Sequence, residues 1–124
     1  MSEELRGVVV CHGKLAGALV EAAESISGVT GALVPVSNAD CDRDALEDRV
    51  VAALGGGPAV VFVDMASGSC LFAVLKRLRS TDGVKAVTGV NLAMLVDFVF
   101  HHALAPDEAA TRAAAAGTRA IRVP

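Results

Sequence analysis

The chain alternates short apolar runs rich in β-branched residues with longer stretches in which apolar positions recur at helical spacing. This alternation predicts an α/β fold, with a central, mostly parallel sheet covered by helices on both faces. The third apolar run has no polar alternation, which is typical of a strand buried on both faces. The strands are predicted at Gly7–Cys11, Ala32–Val36, Ala59–Asp64, Val84–Val90 and, on a weaker pattern, Arg119–Val123; the helices are predicted at Lys14–Ser27, Asp42–Leu54, Ser69–Arg79, Ala93–His102 and Pro106–Ala116.

Residues that start and end helices fall where this interpretation needs them. Asp40 or Asp42 can cap the second helix, and the segment Gly55-Gly56-Gly57-Pro58 ends it. Ser69 is the predicted cap of the third helix. Pro106 lies at a first helical turn, where proline is tolerated.

The fourth helical segment is unusual because Leu92–Phe100 is apolar nearly all round, and such a helix needs cover on more than one side. A second subunit can supply that cover, and so can the C-terminal segment of the same chain. The overall mean hydropathy of +0.54 favours the dimer.

Composition limits the classes of protein to which the chain can belong. Its 124 residues, of which 53% are apolar, make one domain over residues 1–124 with a sizeable core. No stretch reaches the roughly 18 uncharged apolar residues of a membrane span. The acidic segment Met1-Ser2-Glu3-Glu4 is not a secretory signal, so we expect a cytoplasmic protein.

Charge and side-chain types make nucleic acid an improbable main partner. The net charge is −3, and the chain has neither Trp nor Tyr to stack on bases. The three cysteines, Cys11, Cys41 and Cys70, form no CxxC pair, so the spacing indicates neither a zinc site nor a redox motif. We interpret them as small apolar side chains, and no cofactor or metal is expected.

The candidate chemistry begins at His12, which follows the first strand and precedes Gly13. Asp64 follows the third strand in the same way. If the strand order is 2-1-3-4, the first and third strands are neighbours, and both side chains emerge at the switch point where ligands bind. A carboxylate on one ring nitrogen fixes the tautomer and leaves the other nitrogen free as a nucleophile.

The segment Ser67-Gly68-Ser69 adds a possible anion site, because it offers hydroxyls and backbone N–H groups at the start of a helix. A nucleophilic imidazole, an orienting carboxylate and an anion site together favour phosphoryl transfer through a phosphohistidine. The sequence has no glycine-rich nucleotide loop, so the phosphoryl group would come from another protein rather than from ATP.

Each residue also has a structural interpretation. His12 can be a packing or capping residue, Asp64 can cap the following helix, and small polar tripeptides are common in turns. His101 and His102 end a helix, where a cation suits the dipole, and we assign them no chemistry. Asn91 can reach the same cleft or serve as a turn residue.

Three segments of the sequence together resemble one family. They are Val9-Val10-Cys11-His12-Gly13, Val63-Asp64 with Gly68-Ser69, and Gly89-Val90-Asn91-Leu92-Ala93-Met94-Leu95. In these segments the chain is similar to the enzyme IIA component of the mannose-type family of the bacterial sugar phosphotransferase system. The similarity runs in order from Gly7 to Val123.

The resemblance implies a phosphocarrier in which His12 accepts a phosphoryl group from the histidine phosphocarrier protein and passes it to an enzyme IIB. Asp64 would orient the ring, and Gly13, Ser67, Gly68 and Ser69 would surround the phosphoryl group. It also implies a homodimer that exchanges Arg119–Val123 as an antiparallel edge strand, and association with the membrane only through the transporter complex.

The chain departs from the family pattern in the loop after Asp64, where Ser67 replaces a glycine and Cys70 replaces a proline. Serine would be strained if that position needed a positive φ. Two alternatives stay open: a relay subunit of a dihydroxyacetone kinase or of a regulatory system, and a non-catalytic α/β binding module that has lost the chemistry. A response-regulator receiver and a flavodoxin fit poorly, because Cys11-His12-Gly13-Lys14 supplies neither acidic residues nor a phosphate loop.

Overall fold

The computed structural model describes residues 4–124, which form one four-stranded sheet with helices on both faces. All strand pairs are parallel, and the strand order is β2-β1-β3-β4. The predicted α/β fold and strand order are therefore confirmed. In chain order the elements are β1 (Arg6–Cys11), α1 (Leu15–Ser27), β2 (Leu33–Ser37), α2 (Arg43–Leu54), β3 (Ala59–Val63), α3 (Ser69–Leu78), β4 (Val84–Thr88), α4 (Leu92–Val99) and α5 (Pro106–Arg119).

The two central strands are buried along almost their whole length, as the apolar runs predict. Helices α1, α4 and α5 contribute to the core on one face of the sheet, and α2 and α3 contribute to the core on the other. Phe98 of α4 packs edge-on against Phe62 of β3, with ring centroids 5.3 Å apart. Burying both faces of the sheet removes large apolar areas from water, which is the main force that stabilises such a sandwich.

The connections fix where the site lies. The chain leaves β1 toward β2 on one side and leaves β3 toward β4 on the other, so the right-handed crossovers place α1 and α3 on opposite faces. In the register of β1 and β3, Val10 lies opposite Val63. The residues that follow these two strands therefore emerge next to each other at the carboxyl edge of the sheet.

Two residues predicted to begin helices agree with the structure, and one predicted cap does not. Asp42 caps α2 by accepting a hydrogen bond from the N–H of Ala45. Pro106 is the first residue of α5. The cap of α3 is Gly68 rather than Ser69, because the backbone at Gly68 has φ +97° and ψ −177°, a conformation that favours glycine.

The C-terminal strand predicted at Arg119–Val123 is not part of the sheet. Helix α5 runs on to Arg119, and residues 121–124 are exposed and have no regular structure. The β-branched side chains of Ile121 and Val123 gave the pattern of a strand, but the segment pairs with no edge of its own sheet. Its exchange with a second subunit stays a prediction.

Helix α4 is shorter than the predicted Ala93–His102 and ends at Val99. Helices α1 and α5 both pack against it, so its own chain supplies much of the cover that its apolar surface needs. Among residues 4–124 no helix is both long enough and apolar enough to cross a membrane.

Candidate functional site

His12 and Asp64 meet at the carboxyl edge of the sheet, as the strand order predicts. The Nδ1 atom of His12 lies 2.8 Å from Oδ2 of Asp64. The backbone N–H of His12 donates to the same oxygen at 2.9 Å. One carboxylate oxygen therefore holds both the backbone and the ring of His12.

The Asp64 carboxyl is ionised in this setting. Burial by itself raises its pKa, but the hydrogen bonds from the backbone and ring of His12, together with the ring's charge, outweigh burial, and the net pKa lies below its usual value. An ionised carboxylate can only accept hydrogen bonds, so in the neutral ring the proton is on Nδ1. The lone pair of the neutral imidazole is then on Nε2.

The Nε2 side of the ring faces the start of α3. The His12 side chain is 41% exposed, whereas the Asp64 side chain is 9% exposed, so the carboxylate is covered while the ring remains accessible. A Cβ atom built on Gly68 would lie 3.7 Å from both Cε1 and Nε2 of His12. The beginning of α3 therefore lies near the nucleophilic nitrogen, and the N–H groups of a helix N-terminus favour an anion.

The loop between β3 and α3 takes a path that serine accommodates. Ser67 is exposed and does not have a positive φ; among non-glycine residues of the described chain only Asp40 does. The strain expected at Ser67 is therefore absent, because the positive φ falls on Gly68. Ser69 begins α3, directly after that cap.

Gly13 makes the turn after His12 with φ +59°. Its N–H donates to Oδ1 of Asn38 at 3.0 Å, and its carbonyl accepts from the Ser37 hydroxyl at 2.6 Å. The N–H of Gly13 is thus already engaged, and the role of Gly13 that the structure supports is to shape the turn. Sequence reasoning missed Ser37 and Asn38, although they follow β2, the other neighbour of β1, and this position was the available signal.

Sequence reasoning also missed the contact between Cys70 and His12. The Sγ atom of Cys70 lies 3.8 Å from Nδ1 of His12, and Cys70 is fully buried in the first turn of α3. Burial first, and then the charge of Asp64, raises the pKa of the Cys70 thiol to about 11. The same two causes raise the pKa of Cys11 to about 12, so both thiols are protonated at neutral pH. His12, Asp64 and Cys70 each place one potential ligand atom within 4.8 Å of the others.

The remaining polar residues of interest have structural roles. Asn91 caps α4 by accepting from the N–H of Met94, and its amide donates to the Gly117 carbonyl of α5. Asn91 therefore ties two helices together. His101 bonds through Nδ1 to the carbonyl of Asp97 and through Nε2 to Arg112, so its side chain links the end of α4 to α5.

Comparisons with known proteins show the family to which the chain belongs. A family described as the PTS system fructose IIA component (EIIA-man) matches residues 7–115. Among curated proteins, none matches the sequence significantly.

Solved structures share the fold at low sequence identity. The mannose/sorbose-specific IIA subunit of the phosphotransferase system from Enterococcus faecalis has a TM-score of 0.86 at 20% identity, covering 98% of this chain and 96% of that one. Component EIIA from Streptococcus agalactiae has a TM-score of 0.86 at 17% identity, with 96% of each chain covered. A sigma-54 interaction domain protein from Enterococcus faecalis has a TM-score of 0.74 at 12% identity, covering 98% and 96%.

Proposed function

Because the chain belongs to the family of fructose IIA components of the sugar phosphotransferase system, we propose that it carries a phosphoryl group on Nε2 of His12. The donor is the histidine phosphocarrier protein, and the acceptor is an enzyme IIB. The observation that carries the proposal is the 2.8 Å contact between His12 Nδ1 and Asp64 Oδ2, since it leaves Nε2 as the accessible nucleophile.

The transfer itself needs no proton to leave the ring. The Nε2 lone pair attacks phosphorus and forms a new N–P bond, while the N–P bond to the donor histidine breaks and its electron pair returns to the donor ring. The Nδ1 proton stays in place, so positive charge builds up on the His12 ring. Asp64, held ionised next to Nδ1, stabilises that charge, and this favours the phosphorylated form.

The phosphoryl oxygens would lie at the start of α3. Gly68 brings backbone rather than a side chain close to Nε2, and Ser67 and Ser69 offer hydroxyls on either side of it. The helix N-terminus favours the negative charge of the group. The same arrangement acts in reverse when enzyme IIB takes the phosphoryl group.

The proposed role also implies a cellular location and an oligomeric state. A carrier that exchanges phosphoryl groups between two proteins works in the cytoplasm, and it approaches the membrane only through the transporter complex. We propose a homodimer in which the segment after α5, residues 121–123 of the predicted Arg119–Val123, adds an antiparallel edge strand to the partner's sheet. Ile121 is 77% and Val123 is 98% exposed in the single chain, and pairing would cover both. Light scattering should give twice the mass of one chain, and charged substitutions at Ile121 and Val123 should give the mass of one.

The test is incubation with phosphoenolpyruvate, enzyme I and the cognate histidine phosphocarrier protein, followed by intact mass. We expect the native chain to gain one phosphoryl group and His12→Ala to gain none. The matched control is His101→Ala, which removes a histidine outside the site and should be labelled normally.

A native chain that stays unlabelled next to a labelled carrier would contradict the relay and favour the non-catalytic binding module. Label that persists in His12→Ala would show that the site is elsewhere. Adding enzyme IIB to the labelled chain distinguishes transport from a regulatory relay, because only the transport role predicts that IIB removes the label.

A further inference from the structure

Three different ligand types converge beside the proposed nucleophile. His12 contributes an imidazole nitrogen, Asp64 a carboxylate oxygen and Cys70 a sulfur, with all three atoms within 4.8 Å of one another. Hard cations such as Mg²⁺ and Ca²⁺ prefer sets of oxygen ligands, whereas Zn²⁺ accepts nitrogen, oxygen and sulfur together. Three protein ligands with a fourth position open to solvent is also the usual arrangement of an accessible zinc site.

We propose that His12, Asp64 and Cys70 bind Zn²⁺, and that the bound ion blocks phosphoryl transfer. The binding itself is independent of the proposed function, and only the inhibition rests on it.

The distances fit a tetrahedral ion with a small adjustment. Zinc bond lengths of about 2.0–2.1 Å to nitrogen and about 2.3 Å to sulfur put the two ligand atoms about 3.6 Å apart. The observed separation of His12 Nδ1 and Cys70 Sγ is 3.8 Å. The separation of Nδ1 and Asp64 Oδ2 is 2.8 Å. That pair has to open to about 3.3–3.4 Å for both atoms to bind one zinc ion.

A second observation points independently to a missing ligand. Oδ1 of Asp64 is buried and has no hydrogen-bond partner among the described residues, and its side chain is 9% exposed. A buried carboxylate oxygen without a partner costs free energy, which a cation would remove. A cation bound at Oδ2 also lies close to Oδ1, because both oxygens belong to one carboxylate.

Binding would inactivate the ring through its tautomer. The ion takes the Nδ1 lone pair, so the ring proton moves from Nδ1 to Nε2, and the Cys70 thiol releases its proton to solvent as it becomes a thiolate. The neutral ring then has no lone pair on Nε2, and Nε2 cannot attack phosphorus. Asp64 is engaged by the ion as well and no longer supports the positive charge that transfer develops.

The binding test uses the whole metal-free chain with Zn²⁺ in a calorimetric titration and with Co²⁺ as a spectroscopic probe. We expect one ion per chain and a thiolate-to-cobalt charge-transfer band. His12→Ala and Cys70→Ser should each weaken zinc binding by more than about 100-fold, since even outer contacts to ligands are worth 10- to 100-fold. The matched control is Cys41→Ser, which alters a cysteine outside the trio and should bind as the native chain does.

Several outcomes would overturn the site. Native cobalt absorption in Cys70→Ser would show that Cys70 is not a ligand, and loss of binding in Cys41→Ser would indicate a surface thiol instead. Because Cys70 is buried, its variant is first checked by thermal unfolding. If Cys70→Ser is unfolded, the variant of the half-exposed His12 provides the test. Unchanged zinc affinity in a folded His12→Ala refutes the proposal.

Inhibition is measured separately, as the rate of labelling of each chain with and without Zn²⁺. The native chain should lose labelling and regain it with a chelator, and Cys70→Ser should respond far less, relative to its own zinc-free rate. Zinc binding without any labelling would leave the metal site standing while the proposed function fails. Labelling that Zn²⁺ leaves unchanged, in a chain that binds none, would refute the metal site alone.

Discussion

The substitution Asp64→Asn tests whether the charge of the Asp64 carboxylate supports phosphoryl transfer to the His12 imidazole. The amide is nearly isosteric and its oxygen can still accept from the His12 N–H, so the change removes mainly the negative charge beside Nδ1. A hydrogen bond to a charged group contributes about 1.5–3 kcal/mol. If that energy acts on the positive ring of the transition state, phosphoryl transfer slows about 10- to 150-fold.

The same substitution should affect stability much less. The His12 side chain is 41% exposed, and exposed electrostatic pairs contribute at most about 1 kcal/mol. We therefore expect a free energy of unfolding within about 1 kcal/mol of the native value at neutral pH. Stopped labelling reactions give the rate, urea unfolding gives the stability, and Asp82→Asn, in the exposed turn before β4, is the control for charge.

The stability difference should also depend on pH in a defined direction. Folding lowers the pKa of Asp64, so its charge stabilises the folded chain above the unfolded pKa of about 3.9, and that contribution is lost as the pH falls through the folded pKa. The gap between the native chain and Asp64→Asn should close once the pH falls below the folded pKa of Asp64. Transfer at the native rate in Asp64→Asn, or a stability gap that persists below the folded pKa of Asp64, would refute this account of the pair.

Two further predictions concern glycines, each with a matched control. In Gly68→Ala the alanine has to adopt φ +97°, and its Cβ lies 3.7 Å from Nε2 of the imidazole. We expect the free energy of unfolding to fall by about 1–3 kcal/mol and labelling to slow. The control Gly28→Ala, at φ +74° with open space around it, should lose stability but keep its labelling rate. Gly117→Ala drives a Cβ to within 2.5 Å of the Met94 side chain and should cost about 1–3 kcal/mol, whereas Gly17→Ala, in a helix with nothing nearby, should gain about 0.5–1 kcal/mol in urea unfolding. Equal labelling rates for the first pair, or equal stabilities for the second, would contradict these arguments.

The parts of the fold that could be predicted are those that depend on local pattern. The run Ala59–Val63 is apolar at every position, so its burial on both faces is evident in the sequence, and the neighbouring site residue Asp64 follows from it. The meeting of Asp64 with His12 required one more step, the strand order, which parallel topology restricts to few possibilities.

The parts that could not be predicted depend on the path of the chain in space. Whether residues 119–123 pair with the edge of a sheet depends on which sheet edges are available. The sequence of the segment itself does not contain that information. The sign of φ distinguishes Gly68 from Ser67, and nothing in the composition of the loop shows it. Cys70 reaches His12 only because the first turn of α3 returns toward β1, so its sequence position gave no indication of the contact.

Oδ2 of Asp64 accepts from both the backbone and the ring of His12, and this has a kinetic consequence. The ring loses its rotational freedom when the chain folds, rather than when a partner arrives. An incoming protein thus meets the acceptor nitrogen in one orientation, and a larger share of encounters is productive. A carrier that must serve a donor and an acceptor in turn can exchange quickly with both, even when each complex is short-lived.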